Sequence, residues 1–396
     1  MTAALQPADV ALDNLVIGGG PAGSMLALRL AAAGRRVMLV EREPAAHDKV
    51  CGEFLSREAV HYLRQTGLDP LALGAHVIRT VRLSSGDKVT SSQLPFEALS
   101  LSRRSLDEAL LARAAQTCEV LRRAAVESLA ADGELWSASL TGGRTLRSST
   151  IFLATGKHDL RGYTRPAGRQ SDLVGFKLHL ALAPAKIGAL RQVMDLYLFP
   201  GGYGGLSLIE ENAANLCLVV RRSILRKVGL REQGGWPQLL EFILSGNRHL
   251  RSLLDGAHPL NSRPLAISPI PYGYLAKESD GLWRIGDQAA VIPSFTGDGM
   301  SIALHSATLA AQMFLAGKCS ADYTRVLRAQ TRRQMSLATW LSRACVTPAG
   351  RATALAALPL APGLLRWIAA STRIPSSSLL VAMREEVRGE PEEIRC

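Results

Sequence analysis

The feature that most constrains the fold is a glycine-rich turn between two short apolar runs near the N-terminus. Residues 14–17 (NLVI) are typical of a buried strand, and they lead directly into GGGPAG at 18–23. The Ala/Leu-rich stretch 24–33 predicts a helix, and 36–40 predicts a second strand that ends at Glu41. This order of strand, GxGxxG, helix, strand and acid predicts a βαβ unit on a parallel sheet.

Each part of this turn has a physical role in holding a dinucleotide. Gly18 permits the tight turn, Gly20 lets the backbone approach a pyrophosphate, and Gly23 allows close packing of helix on strand. The helix N-terminus offers free N–H groups and the positive end of its dipole to the phosphates. Glu41 can bind ribose hydroxyls and would repel a 2′-phosphate, which argues against NADP in this position. The motif does not separate NAD from FAD.

Composition narrows the class of protein further. The chain has 396 residues, 47% of them hydrophobic and 20% charged, which predicts a globular protein of two or three structural units. Its six cysteines form no CxxC pair, so neither a disulfide scaffold nor a metal site is expected. No signal-peptide pattern and no apolar stretch long enough to span a membrane is evident, so a cytoplasmic location is expected.

The net charge of +12 is compatible with nucleic acid, a membrane surface or an anionic cofactor. No arginine stripe with interleaved aromatic residues is present, so a nucleic-acid partner is not expected. The apolar stretch 352–372 fits a packed helical cap, an interfacial membrane element or the lid of a hydrophobic substrate tunnel. The second of these leaves peripheral membrane contact open. The sequence does not predict the oligomeric state.

A second glycine-rich segment lies at 281–300, where GD is followed by TGDGM and a helix-type run. Here the sequence resembles FAD-dependent oxidoreductases with the glutathione-reductase-like fold. The nearest group contains geranylgeranyl reductases, flavin-dependent halogenases and aromatic hydroxylases. The resemblance implies that Asp287 binds the ribitol of FAD, and that Gly297, Gly299 and Met300 cap the isoalloxazine ring.

Shorter segments link the two glycine motifs. KVCGEFLS at 49–56 resembles the KxCG(G/E)xLS segment of geranylgeranyl reductases, which passes close to the flavin. The resemblance also implies that Arg103, which opens an R-x-x-L-D motif, contacts the cofactor, and that Val126 lies against adenine. Gly156 follows a predicted strand. The turn and the resemblance together give these expected cofactor-binding residues: Gly18, Gly20, Pro21, Ala22, Gly23, Glu41, Arg42, Cys51, Gly52, Arg103, Val126, Gly156, Asp287, Gly297, Gly299 and Met300.

The substrate half is predicted from strand-like segments within 76–98 and 165–270, which would form an antiparallel sheet over the flavin. The segment LYLFPGGYGG at 196–205 is similar to the Y-x-W-x-F-P-x-x-G segment of geranylgeranyl reductases. Both tryptophans of the halogenase motif are missing, which argues against halogenation. The candidate catalytic residues are Lys177, His179, Phe199 and Tyr203. Phe199 either forms an apolar lid with Pro200 or, like Tyr203, packs within the sheet. Lys177 and His179 share a strand face that either contacts substrate or nicotinamide or is solvated.

We therefore expect an α/β protein with a Rossmann-like FAD-binding domain, an antiparallel-sheet substrate domain and a C-terminal helical region. The expected boundaries are 1–75, 99–164 and 271–320 for the first, 76–98 and 165–270 for the second, and 321–396 for the third. The expected cofactor is FAD, with NAD(P)H as reductant, no metal and a small hydrophobic substrate. The expected activity is that of a monooxygenase on a cyclic, aromatic or polyketide-like secondary metabolite. The alternative is an ene-reductase acting on C=C bonds of a prenyl or lipid substrate.

Overall fold

The computed structural model describes residues 12–229, 235–360 and 363–380. The strands are β1 Leu12–Ile17, β2 Val37–Glu41, β3 Phe54–Leu55, β4 His76–Ser85, β5 Lys88–Ser100, β6 Glu119–Arg122, β7 Val126–Asp132, β8 Leu135–Leu140, β9 Thr145–Leu153, β10 Leu173–Ala181, β11 Gln192–Phe199, β12 Gly202–Leu208, β13 Ala214–Arg221, β14 His258–Pro259, β15 Leu265–Ile267, β16 Tyr274–Leu275, β17 Trp283–Arg284 and β18 Ala290–Val291. The helices are α1 Pro21–Ala32, α2 Arg57–Gln65, α3 Arg103–Ala114, α4 Pro184–Leu190, α5 Arg222–Lys227, α6 Gly235–Ser245, α7 Arg248–Leu253, α8 Gly299–Leu315, α9 Ser320–Cys345, α10 Pro348–Leu360 and α11 Gly363–Ser371.

The first sheet has the order β6-β2-β1-β9-β8-β7, with β17 pairing to β9. β1 lies parallel to both β2 and β9, so the carboxyl ends of these strands meet at one edge. Helices α3 and α8 both pack against α1 on this sheet. In an open parallel sheet of this kind the ligand crevice lies beyond the carboxyl ends of the strands. The predicted strand–turn–helix–strand unit therefore places its glycine turn at that crevice.

The second sheet has the order β14-β10-β13-β12-β11-β4-β5-β3, with β15 pairing to β10. Its neighbours are antiparallel except for β4 and β11, which run parallel. Strands β4 and β5 form an antiparallel hairpin within the segment 76–98 expected in the substrate half and just beyond it. The short strand β3 comes from the segment expected in the first domain, yet it pairs with β5. The predicted α/β fold class, with a parallel FAD-type sheet and a mainly antiparallel second sheet, is confirmed.

The two faces of the second sheet have different surroundings, because alternate residues of a strand point to opposite sides. On β11, Tyr197 and Phe199 belong to a core formed with α6 and α7. Met194 and Leu196 of the same strand point the other way and line a cavity. One face of this sheet is therefore covered by α6 and α7, and the other face lines the cavity.

The C-terminal helices complete the molecule. Helix α9 packs on α8, α10 packs on α9, and α11 packs on β5. Leu365 is the buried residue of α11, whereas Arg366 and Trp367 on the same helix are exposed. Among the helices described, none combines the length and apolar character needed to cross a bilayer.

Candidate active site

A cavity of about 530 Å³ lies between the glycine turn of the first sheet and the open face of the second. Its lining includes the expected cofactor-binding residues Gly18, Gly20, Pro21, Ala22, Glu41, Arg42, Cys51, Gly52, Arg103, Val126, Gly156, Asp287, Gly297, Gly299 and Met300. These residues span most of the chain, so the fold brings the separate sequence motifs to one place. Gly23 does not line the cavity, since it packs against the strand end instead.

The glycine turn leaves room for a ligand at one position and none at the others. A Cβ on Gly23 would lie 1.9 Å from the carbonyl oxygen of Gly18, and one on Gly18 would lie 2.5 Å from that of Ala154. At Gly20 the nearest atoms are Nη2 of Arg103 at 3.7 Å and Nζ of Lys49 at 4.0 Å. An open backbone position flanked by two cations at the start of α1 fits a dinucleotide pyrophosphate.

Two cations share one carboxylate beside this turn. Arg103 donates to both oxygens of Asp107 at 2.7 and 2.8 Å, and Lys49 donates to Oδ2 at 2.9 Å. Burial opposes the charged form of Asp107, but Arg103 and Lys49 outweigh it and lower the pKa of this carboxyl. One carboxylate against two cations leaves net positive charge at the cavity wall, which suits an anionic cofactor.

Glu41 is held at the end of β2 by backbone donors. Its Oε2 accepts from the N–H of Gly19 at 2.6 Å, and its Oε1 accepts from the N–H of Glu43 at 2.9 Å. The carboxylate is thereby fixed beside the glycine turn, where a cofactor ribose would lie.

A buried arginine that the sequence did not single out joins two walls of the cavity. Arg165 donates from Nε to Asp159 at 2.6 Å and from Nη1 to the carbonyl oxygen of Asp287 at 2.6 Å. Its Nη2 donates to the carbonyl oxygen of Lys157 at 2.9 Å. Arg165 therefore fixes the backbone of Asp287, the residue expected to bind ribitol, relative to the loop after β9.

The turn that is expected to cap the isoalloxazine ring packs closely against Phe54. Gly297 has φ of +72°, and a Cβ there would lie 2.6 Å from Phe54. Gly299 then begins α8, whose N-terminus faces the cavity through Met300. A helix N-terminus stabilises negative charge, as reduced flavin requires.

The catalytic candidates Lys177 and His179 do not line the cavity. Lys177 donates from Nζ to Oε1 of Glu53 at 2.5 Å, and Nε2 of His179 lies 2.8 Å from Oε2 of the same carboxylate. Asp48 lies nearby, with its Oδ1 3.3 Å from Nζ of Lys177. Both candidates are buried behind the loop 48–53. Their strand face is therefore not solvated, and it does not face the space where a substrate or nicotinamide would bind.

The carboxylates of Asp48 and Glu53 and the imidazole of His179 lie close enough together to hold a metal ion. The ammonium of Lys177 already contacts both carboxylates, however. A cation at this place would have to displace that ammonium, so the residues present fit an ion-pair cluster better than a metal centre.

The two aromatic candidates lie on opposite faces of the second sheet. Tyr203 lines the cavity, and its hydroxyl is hydrogen-bonded to that of Ser342 at 3.0 Å. Burial raises the pKa of Tyr203, so the phenol is neutral. Phe199 stacks on Tyr197 on the far face, with ring centroids 6.1 Å apart. The expectation of Phe199 as a lid therefore needs correction, because its side chain points into the core with α6 and α7.

One half of the cavity has apolar walls. Its walls come from the second sheet, the β15 region and α11, and they include Val81, Leu94, Met194, Leu196, Leu218, Leu265, Ile267, Leu365, Ile368 and Ala369. Of the alternatives for the apolar stretch 352–372, the lid of a hydrophobic substrate tunnel is the one that places α11 at a cavity wall. The sequence did not indicate which strands the helix would face. An apolar substrate fits this half of the cavity.

Known proteins with similar sequences indicate the class of protein to which this fold and cavity correspond. A family model described as an FAD binding domain matches residues 11–152. The probable electron transfer flavoprotein-quinone oxidoreductase YdiS of Escherichia coli (strain K12) is 25% identical over 361 residues, covering 83% of this chain and 82% of that protein. Digeranylgeranylglycerophospholipid reductase 2 of Methanopyrus kandleri is 25% identical over 319 residues, covering 76% of each chain.

Solved structures share the fold over nearly the whole chain. PqsL, a probable FAD-dependent monooxygenase from Pseudomonas aeruginosa, has a TM-score of 0.69 at 20% identity, covering 88% of this chain and 99% of that one. Structures of the myxobacterial FAD-dependent halogenase CndH and of the halogenase PltM are also similar, with TM-scores of 0.71 and 0.72.

The fold and the cavity therefore define an FAD-dependent oxidoreductase. The match to an FAD binding domain, the reductase and oxidoreductase relatives and the shared fold together support a place for this chain in the FAD-dependent superfamily. The resemblance seen in the two glycine motifs is thereby confirmed, and FAD is the cofactor.

Proposed function

We propose that this protein is an NAD(P)H-driven monooxygenase that acts on a hydrophobic cyclic, aromatic or polyketide-like secondary metabolite. The apolar half of the cavity is the observation that carries this proposal. The tyrosine hydroxyls near this half are already hydrogen-bonded within the protein, Tyr203 to Ser342 and Tyr272 to Ser294, each at 3.0 Å. Bound FAD would supply two-electron transfer either to oxygen or to the substrate.

The apolar walls have two functions in such a reaction. They bind the substrate by removing its surface from water, at about 25 cal/mol for each Å² of apolar area buried. They also exclude water from the reacting centre, which limits the loss of activated oxygen in side reactions. Leu196 and Tyr203 would provide these contacts from the second sheet, and Leu365 and Ile368 from α11.

A cationic rim supports NAD(P)H as the reductant. Arg42, Lys49 and Lys157 line the cavity on the side of the first sheet, and His158 lies among them. Burial, together with Arg42 and Lys49, lowers the pKa of His158, so this imidazole is neutral while its neighbours are charged. The phosphates of a transiently bound NAD(P)H would be attracted to these cations.

A second candidate function is reduction of a C=C bond in a prenyl or lipid substrate. It is supported by the digeranylgeranylglycerophospholipid reductase relative and by the reductase-like segment 49–56. Cys51 from this segment lines the cavity, so a thiol is available there as a proton donor. In this reaction bound FAD would transfer its electrons to the substrate, and oxygen would not be consumed.

Oxygen labelling separates the two reactions. The holoenzyme would be supplied with NADH or NADPH, ¹⁸O₂ and a panel of aromatic, polyketide-like and prenyl compounds. Monooxygenation predicts one ¹⁸O atom in the product and equal consumption of O₂ and NAD(P)H. A product that gains two hydrogen atoms and forms equally well without oxygen would overturn the oxygenase proposal in favour of the reductase.

We also propose that α11 contacts an anionic membrane surface. The helix lines the cavity with Leu365 and Ile368, whereas Arg366 and Trp367 are exposed, with Trp367 57% accessible. A tryptophan beside an arginine is suited to the interface of an anionic bilayer. A hydrophobic substrate would then have a short path from the bilayer to the cavity.

A further inference from the structure

Helix α11 forms part of the cavity wall, although little of it is buried. Leu365 is its buried residue, and Ile368 and Ala369 line the cavity while remaining partly accessible. The residues that follow the helix, Thr372 and Arg373, are buried. An element with few buried apolar contacts opens at low free-energy cost. The contacts of these last residues therefore decide how firmly α11 is held.

Arg373 joins the end of α11 to the turn that precedes α8. Its Nη1 lies 2.7 Å from Oδ1 of Asp298, its Nη2 donates to the carbonyl oxygen of Thr296, and its Nε donates to the carbonyl oxygen of Ala369 at 3.0 Å. Thr296 lines the cavity, as do Gly297 and Gly299 on either side of Asp298. One guanidinium thus contacts both the helix over the substrate space and the turn beside the flavin.

The charges around Asp298 mean that no other described residue could replace Arg373 as its partner. Asp298 is fully buried, and Arg373 is the cation that faces it among the described residues. Glu58 is the other charged group that acts on Asp298, and it is also an acid. The carboxylate of Glu58 is itself bound by Ser56 at 2.6 Å and by Arg57 at 2.7 Å. Loss of Arg373 would therefore leave Asp298 without a compensating charge.

Aromatic rings fix the guanidinium in position. The Cζ of Arg373 lies 5.0 Å from the ring centroid of Phe96 and 5.9 Å from that of Phe54. Phe54 is the same residue that packs under Gly297. A planar guanidinium over aromatic rings is bound more specifically than an ammonium would be.

We propose that Arg373 is a positioning residue that holds α11 closed over the substrate and couples this closure to the flavin-facing turn at 296–299. When the contact breaks, α11 moves away and admits or releases the hydrophobic substrate. This inference rests on the proposed use of the cavity by a hydrophobic substrate, but its test below measures motion and does not depend on turnover.

The test is hydrogen–deuterium exchange of the holoenzyme, followed by mass spectrometry of peptides covering 363–372 and 294–300. In Arg373→Met, we expect exchange in both segments to be faster by about tenfold or more, while β1 and β2 remain unchanged. Arg343→Met, an exposed arginine of α9, is the matched control and should leave all these rates unaltered. Equal exchange at 363–372 in Arg373→Met, the control and the unsubstituted protein would overturn the proposal.

Arg373→Lys covers the case in which Arg373→Met does not fold. The ammonium keeps the charge but lacks the planar fork that directs separate N–H groups to Asp298, Thr296 and Ala369. We therefore expect faster exchange in both segments with FAD still bound. Unchanged exchange in this variant would contradict the coupling. Because no substrate is added, a failure of the monooxygenase proposal in the oxygen-labelling experiment would leave this result intact.

Discussion

Lys177 and Glu53 form an ion pair of 2.5 Å with almost no solvent exposure, joining a strand of the second sheet to the loop that carries Cys51. Removal of one partner leaves a buried charge uncompensated, although His179 also contacts Glu53. We expect Lys177→Met to lower the free energy of unfolding by about 3–5 kcal/mol. Adding Glu53→Gln to that variant should recover part of the loss. Urea denaturation of the holoenzyme measures both effects.

A surface ion pair provides the control for this prediction. Arg79 lies 2.7 Å from Glu97, with the side chains 52% and 47% exposed. Arg79→Met should change stability by about 1 kcal/mol or less, since exposed pairs are solvated and screened. If Lys177→Met were no more destabilising than Arg79→Met, the cluster would have no structural importance.

Gly20→Ala should separate cofactor binding from folding. A Cβ at Gly20 meets only two flexible cationic side chains, at 3.7 and 4.0 Å, so the protein should fold normally. The methyl group would nevertheless occupy the space that the pyrophosphate needs, and we expect FAD affinity to fall by at least about tenfold. The measurement is flavin absorbance per protein after gel filtration. Gly188→Ala, which meets no atom within 4 Å, is the control that should keep its flavin.

Asp298 should make stability depend on pH. Burial, opposed by Arg373, raises the pKa of this carboxyl to about 7 from its ordinary value of 3.8. The folded state therefore binds the proton more tightly than the unfolded state does. The resulting stabilisation is complete below about pH 4 and is lost as the pH rises through about 7.

Asp298→Asn removes this dependence. Relative to the variant, the unsubstituted protein should lose about 1 kcal/mol of unfolding free energy for each pH unit between pH 5 and 7, and little more above pH 8. Denaturation curves of both proteins at pH 5, 6, 7 and 8 provide the comparison. Parallel stability profiles over this range would show that Asp298 titrates with an ordinary pKa.

Trp367→Ala tests the proposed membrane contact. Loss of a large interfacial aromatic should weaken binding to vesicles of mixed phosphatidylcholine and phosphatidylglycerol by several-fold, without changing the flavin spectrum. Co-sedimentation at low and high salt measures the affinity and its electrostatic part. Leu71→Ala, an exposed apolar residue of the FAD-binding half, should bind like the unsubstituted protein. Equal binding by Trp367→Ala and Leu71→Ala would rule out α11 as the contact.

The parts of the site that could be predicted from sequence are those encoded in short segments. Gly18, Gly20 and Glu41 stand at fixed spacing because one turn, one helix and one strand connect them, and the structure keeps that order. The turn at 297–300 was predictable for the same reason. Its backbone conformation and the start of α8 are local properties of glycine and of the helix that follows.

The side-chain partners could not be predicted, because they depend on contacts between distant segments. Glu53 and Lys177 are 124 positions apart, and Thr296 and Arg373 are 77 apart. The orientation of Phe199 shows the same limit. Alternation along a strand shows that Phe199 and Leu196 point to opposite faces, but it does not show which face has the flavin.

The Glu53 cluster restricts how the two halves of the protein can be recombined. The loop 48–53 belongs to the cofactor half, whereas Lys177 and His179 come with the second sheet. A chimera that grafts the substrate half of a relative onto this FAD-binding half would bury Glu53 against a foreign strand. Such a graft would remain stable only if the donor sequence supplied its own cation at the position of Lys177. This one buried pair can therefore decide which substrate halves, and hence which substrate specificities, the scaffold can acquire by exchange.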